Sequence, residues 1–276
     1  MKNMNRYLWI TVLMAVFLTG STTIADAKVK KGKSAKTITK TNKNRTKKTV
    51  ASKSKNLTFT VNGVKFVMVA VEGGVISTYD PANFRSHNNE DVTLKPYFIG
   101  QTEVTQALWE AVMGNNPSSF KNDMFPVTNV SWNDCNDFIS KLNKLTGKEF
   151  RLPSFAEWTF AAKGGNLSKN YKYSGSNDLD KVAWHIGNCG EFPQPHIVAT
   201  KMDNELGIYD MNGNVSEWTS NYDDGIRASG NNLGRCPPSA VVVGGSFYHE
   251  PQSILDVETI DVFSSHHNNI GLRLAL

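Results

Sequence analysis

The sequence predicts a mixed α/β (α+β) fold with little regular secondary structure, on three observations. Short β-type runs stand at both ends of residues 57–276. Three helical periodicities, each with its own start and stop residues, lie between 102 and 164. From Gly164-Gly165 to Arg235 the chain is rich in Gly, Asn, Ser and Asp, with Trp184, Trp218 and tyrosines scattered through it. That composition reads as irregular loop structure held by aromatics, and loops this long in a compact domain usually serve a site.

Taken in order, residues 1–27 read as a signal peptide. Lys2 and Arg6 open it, Leu8 to Leu18 is an apolar run short for a membrane span, and Ala25-Asp26-Ala27 is a small-x-small cleavage site. Export to the periplasm or beyond is expected, with an uncleaved membrane anchor as the other reading. Leu18-Thr19-Gly20-Ser21 is similar to a bacterial lipobox with Ser where the lipid-accepting Cys would stand. Residues 28–56 form a basic linker, and 28–55 hold twelve Lys/Arg and no acid. Such a segment buries too little apolar surface to fold. It serves either as an electrostatic tether to an anionic polymer or membrane surface, or as a solvated spacer.

Leu57 to Val61, Asn62-Gly63 and Val64 to Val71 predict a β-hairpin with a primed turn. Gly73 to Asp91 reads as loop, and Val92 to Gly100 ends in a short strand. Thr102 to Gln106 opens a helix with Val104, Leu108, Ala111 and Val112 on one face, stopped by Gly114 and Pro117. A second helix is capped by Ser131, carries Trp132, Cys135, Phe138, Ile139, Leu142 and Leu145 at helical spacing, and ends at Gly147. Ser154 and Glu157 form a capping box for a third. Ala240 to Tyr248 and Ile270 to Leu276 are the closing strands.

Net charge is divided along the chain. Residues 1–55 hold fourteen bases and one acid, which leaves sixteen bases and 24 acids for residues 56–276. The body is therefore acidic, and nucleic acid is not an expected partner. An exported protein with three cysteines, Cys135, Cys189 and Cys236, leaves at least one thiol unpaired. Cys135 falls on the apolar helix face, and Cys189–Cys236 is a possible disulfide.

The stretch Gly207 to Trp218 concentrates chemistry. Asn212-Gly213-Asn214 favours a sharp turn that points carbonyls to one side, and Asp210 and Glu217 add carboxylates. Asp210, Glu217 and the Gly213 and Val215 carbonyls are the donors a hard cation such as Ca²⁺ prefers. A tight turn before a buried Trp accounts for the same residues.

Six segments in order resemble the formylglycine-generating enzyme, or sulfatase-modifying factor, family. They are Gln101 to Thr105, Val130-Ser131-Trp132, Arg151 to Trp158, Asn204 to Trp218, Gly244-Gly245-Ser246-Phe247 and Gly271-Leu272-Arg273-Leu274. The resemblance covers nearly all of 57–276. It implies that family's fold, a divergent relative of the C-type lectin fold, and a structural Ca²⁺ at Asp210, Gly213, Val215 and Glu217. It also implies an O₂- and copper-dependent oxidation of a sulfatase cysteine, performed by two thiols shortly after Gly-Gly-Ser. Those positions here are His249 and Ile254, so the pocket positions Ser246, His249 and Ile254 are degenerate and copper is not expected. Cu(I) wants soft thiolate ligands. The sequence therefore points to a non-catalytic binding or scaffold domain of the bacterial cell envelope, a pseudoenzyme. Its aromatic surface near Trp184 and Trp218 suits a protein or glycan ligand. The alternative is an oxidoreductase of the formylglycine-generating type, or a relative with altered metal chemistry at His249.

Overall fold

The computed structural model describes residues 55–78, 90–223, 226–229, 232–235, 239–256, 258–261 and 263–276. The signal-peptide reading and nearly all of the basic linker lie outside these residues, as does Cys236. The fold starts with β1 (Leu57–Val61) and β2 (Val64–Val71), paired antiparallel. Asn62 and Gly63 between them both have positive φ, 47° and 85°. That is the turn whose twist matches the flanking strands. Phe59 stacks on Phe66 at 5.4 Å and meets Phe150 edge-on at 5.1 Å, which pins the hairpin to the segment ahead of the third helix.

β5 (Tyr97–Gly100) completes this sheet in the order β1-β2-β5. The last residues of the chain run beside β5: Gly100 N–H donates to the Leu274 carbonyl at 2.8 Å and Leu276 N–H to the Phe98 carbonyl at 2.9 Å. The stretch read as loop holds β3 (Gly74–Thr78), paired with β4 (Glu90–Leu94). Gly73-Gly74 and Asp80-Pro81 bound this run as turn signals, so the sequence does carry a strand signal here that a loop reading overlooks.

Helix α1 (Gln106–Met113) is capped by Thr105, three residues later than the sequence predicts. The earlier residues are extended because Val104 is claimed from both sides. Its N–H donates to the Leu272 carbonyl and its carbonyl accepts from Val127 N–H, both at 2.9 Å. Helix α2 (Trp132–Thr146) follows the prediction, with Ser131 and Asp134 forming a full capping box and Gly147 in the left-handed region. Trp109 stacks on Phe138 at 4.9 Å, which joins α1 to α2, and Cys135 is fully buried there as its spacing predicts. Helix α3 (Phe155–Ala162) has the predicted Ser154–Glu157 capping box, and Glu157 also takes a bidentate ion pair from Arg151.

The stretch read as irregular, 164–235, contains one strand of the main sheet, and two more of its strands overlap the predicted closing strands 240–248 and 270–276. A 3₁₀ turn (Gly165–Leu167), the short α4 (Leu179–Val182), β6 (Ala183–Trp184) and β7 (Asn212–Gly213) lead to β8 (Ser216–Asp223). A hairpin of β9 (Ile226–Ser229) and β10 (Asn232–Arg235) follows, then β11 (Ser239–Val243), β12 (Glu258–Asp261) and β13 (Ile270–Leu272). The sheet order is β12-β11-β8-β13, with β13 parallel to β8. β8 escapes a pattern reading because Ser216, Glu217, Trp218 and Thr219 are all buried, so no polar face alternates with an apolar one. One apolar core lies between this sheet, α1, α2 and the hairpin, and a second between α3, β2, β5 and β11.

Candidate functional site

The turn between β7 and β8 is built as its residues suggest. Asp210, Gly213 and Asn214 have φ of 56°, 74° and 57°. A Cβ on Gly213 would collide with the Trp184 backbone carbonyl, so only glycine lets β7 lie against β6. Asn214 ties the turn to its surroundings. Its N–H donates to the Trp184 carbonyl, its carbonyl accepts from Phe247 N–H, and its Oδ1 accepts from His196 N–H, all at 2.9 Å.

Beneath this turn lies a buried charge cluster. Arg273 is fully buried and donates Nε to both oxygens of Glu217 at 3.0 Å and one terminal nitrogen to Glu217 Oε1 at 2.6 Å. The other contacts of this guanidinium are the carbonyls of Gly100 at 3.0 Å, Tyr209 at 2.9 Å and Asp210 at 3.3 Å. Trp158 Nε1 donates to Glu217 Oε2 at 2.6 Å. Glu103, 1% exposed, faces the same cluster and accepts from Val215 N–H and Asn214 Nδ2 at 3.3 Å. Asp210 accepts from Ala199 N–H at 2.7 Å through Oδ2, and its buried Oδ1 has no hydrogen-bond partner.

Three buried carboxylates thus share one guanidinium. Burial, with Asp210 close by, pushes Glu103 well above the usual carboxylate range. Burial pushes Asp210 up to about 6, against the pull of Ala199 N–H and Arg273. The cluster lacks positive charge, and that is the observation bearing on Ca²⁺. Of the two expected carboxylate donors, Asp210 offers an oxygen to a cation and Glu217 does not. Asp210 has an unpartnered oxygen. Three N–H groups make four contacts with Glu217, two on each oxygen, which takes up a carboxylate's roughly four lone-pair positions. Among the described residues no group of three or more His, Cys, Asp or Glu side chains is arranged to hold a metal ion. A cation here would therefore depend on the Gly213 and Val215 carbonyls as well.

Sequence reasoning passed over Glu103 and Arg273 as members of this cluster, although both stand in quoted segments. Leu272-Arg273-Leu274-Ala275-Leu276 alternates, and alternation reads as an outward Arg. The only available signal was that the segment between Gly245 and Arg273 contains no other arginine.

The degenerate positions lie on the far side of the same turn. Gly244 and Gly245 have φ of 91° and 65°, and a Cβ on Gly245 would meet Ile254 at 2.8 Å. Ser246 is fully buried. Its N–H donates to His249 Nδ1 at 2.9 Å and its Oγ lies 2.8 Å from the same nitrogen. Ser246 Oγ also accepts from Asn269 Nδ2 at 3.1 Å and Tyr248 N–H at 3.3 Å. A backbone N–H can donate only to an unprotonated nitrogen, so His249 carries its proton on Nε2. An imidazole ligates a metal through a nitrogen lone pair, and in this tautomer the only lone pair is already taken. Ile254 is fully buried beside Leu179 and Ala183. These side chains do not fit copper.

Cys189 packs with Val215 and Phe247, close to these positions, and its Sγ lies 3.9 Å from His196 Nδ1. Burial pushes its thiol up to about 11, so it stays protonated. Cys189 and Cys135 are both free thiols in different core clusters. Trp184 is partly exposed, stacked on His196 at 3.8 Å and covered by Lys201 Nζ at 3.9 Å. Trp218 does not reach the surface beside it. It is fully buried, with Nε1 donating to the Val130 carbonyl at 3.0 Å, because β8 runs through the middle of its sheet.

An open cavity of about 260 Å³ lies between α3, the Tyr171–Ser174 turn and the end of β11. Among the described residues no helix is long and apolar enough to cross a membrane.

A family model described as a sulfatase-modifying factor enzyme 1-like domain matches residues 59–276. A protein named chaperone protein LppX, from Paenibacillus barcinonensis, is 38% identical over 199 residues, 55% of this chain and 70% of that one. An inactive C-alpha-formylglycine-generating enzyme 2 from Bos taurus is 30% identical over 129 residues, 42% of this chain and 40% of that one. A formylglycine-generating enzyme from Mus musculus is 29% identical over 150 residues, 50% of this chain and 37% of that one. The chain thus spans well under half the length of the two mammalian relatives. Among solved structures, Treponema denticola variable protein 1 superposes with a TM-score of 0.65 at 29% identity, over 80% of this chain and 98% of that one.

Proposed function

The chain belongs to the sulfatase-modifying factor family and carries its fold, a divergent relative of the C-type lectin fold, and from that premise we propose that it works by contact rather than by oxidation. The reading is a non-catalytic binding or scaffold domain, exported by a bacterium and held in the cell envelope, whose ligand is a protein or glycan. One observation carries it. At the positions where the resemblance expects thiols stand an imidazole bonded to Ser246 and a buried isoleucine. A relative named as a chaperone and one named as inactive support the same reading. Residues 28–55 supply the tether to an anionic polymer or membrane surface.

A structural Ca²⁺ belongs to this proposal. Asp210 and the carbonyls of Gly213 and Val215 would hold it. It would supply the positive charge that Glu103 and Asp210 lack, and fix the turn on which Phe247 and Ser246 hang.

The test of the contact reading uses the full chain, O₂, Cu(I) and a sulfatase-type cysteine peptide, read by mass spectrometry. An unchanged peptide is expected, and conversion of its cysteine to an aldehyde would restore the oxidoreductase reading. The tether is read separately, by sedimentation with anionic vesicles. Binding should weaken with salt and vanish on deletion of 28–55.

A further inference from the structure

The cavity beside α3 holds more structure than a contact surface requires. Phe155, Trp158, Val243 and Ile254 form its apolar walls. Trp158 cannot swing out, because its Nε1 is held by Glu217 at 2.6 Å. Gly244 shapes the floor: a Cβ there would meet the Trp158 ring at 3.1 Å. The space is therefore formed before anything enters, which lowers the ordering cost of binding.

The mouth adds charge. Lys163 and Lys172 line the cavity against a single acid, Asp256. Lys172 Nζ sits 4.7 Å from the centre of the Tyr173 ring, which holds the cation at the rim. Size narrows the class further. A closed apolar cavity of ~150 Å³ takes up benzene, and ligand sites for larger molecules start near ~300 Å³. A cavity of about 260 Å³ suits one or two rings.

We propose that this cavity is a binding site for a small organic anion with a one- or two-ring apolar body, seated against the Trp158 side and charge-paired with Lys163 and Lys172. The site shares no reacting group with a formylglycine-type oxidation, so it stands or falls apart from the contact reading.

The test uses the full chain and 1-naphthoate, followed by quenching of tryptophan fluorescence and by calorimetry. Saturable binding at one site is expected, with neutral 1-naphthylmethanol at least on the order of tenfold weaker, the scale of one lost ion pair in a partly dry site. Ala162→Phe fills the cavity from the end of α3 and should abolish binding with the melting temperature preserved. Should that variant fail to fold, Lys172→Glu provides the second reading. It should weaken naphthoate severalfold while leaving naphthylmethanol unchanged. Absence of binding at millimolar naphthoate would overturn the site. So would binding that survives Ala162→Phe, which would place the anion on the basic segment 28–55. Equal affinity for the neutral alcohol would overturn the anion assignment.

Discussion

The two sides of the β7–β8 turn differ in their side-chain chemistry. Beneath it, Glu103, Asp210, Glu217 and Arg273 form a buried cluster in which Arg273 serves Glu217 and three backbone carbonyls at once. Across it, Ser246 and His249 satisfy one another and Ile254 packs against Leu179 and Ala183. The difference teaches which part of the scaffold is structural. Charge buried at the centre cannot be dropped piecemeal, since removing one partner strands the other. A buried side chain that carries no charge can be replaced as long as its volume and hydrogen bonds are matched.

Breaking the cluster should give the largest effect. Arg273→Leu or Glu217→Ala leaves a buried charge without its partner and should cost about 3–5 kcal/mol in denaturant unfolding. A loss below about 1 kcal/mol would remove the contrast between the two sides. Asp210 comes next, and its effect depends on pH. Its folded pKa, about 6, lies above its ordinary value. Its contribution to stability is therefore present at low pH and lost as the pH rises through 6, by up to about 3 kcal/mol. In the presence of chelator, wild type should fall relative to Asp210→Asn between pH 5 and pH 8, and Ca²⁺ should restore it. Parallel stability profiles with and without chelator would end the calcium proposal. Glu217→Ala is a poor probe of calcium, because it also strands Arg273.

Gly245→Ala should cost about 1–3 kcal/mol, since the site needs φ of 65° and a Cβ would press on Ile254. That would show the uncharged side to be soft in its side chains and hard in its backbone. His249→Ala should be the mildest, about 1 kcal/mol or less, with the chelator response unaltered. A cost near that of Arg273→Leu would mean that His249 anchors the fold.

Legibility followed local rules. The Asn62-Gly63 hairpin, the Ser131 and Ser154 caps and the apolar spacing of α2 were plain, because turns, caps and helical faces are written within a few residues. β8 was not, because a strand buried on both faces with Glu217 and Thr219 in it has no pattern to read. Of the site, the sequence marked Asp210 and Glu217 as paired acids, but its local pattern did not place an arginine 56 residues beyond Glu217, within an alternating run, in the core beside them. Trp218 failed for a related reason: its burial is set by β11 and β13, which come later in the chain.

The strand Ile270–Leu272 and the residues after it hydrogen-bond to β8, to β5 and to Arg151, and they deliver the guanidinium of Arg273. Both the first hairpin's sheet and the main one therefore wait for this segment before they can close. During vectorial synthesis, roughly two hundred residues would emerge with an unneutralised acid at their centre and an open sheet edge, and so would need shielding until this segment appears.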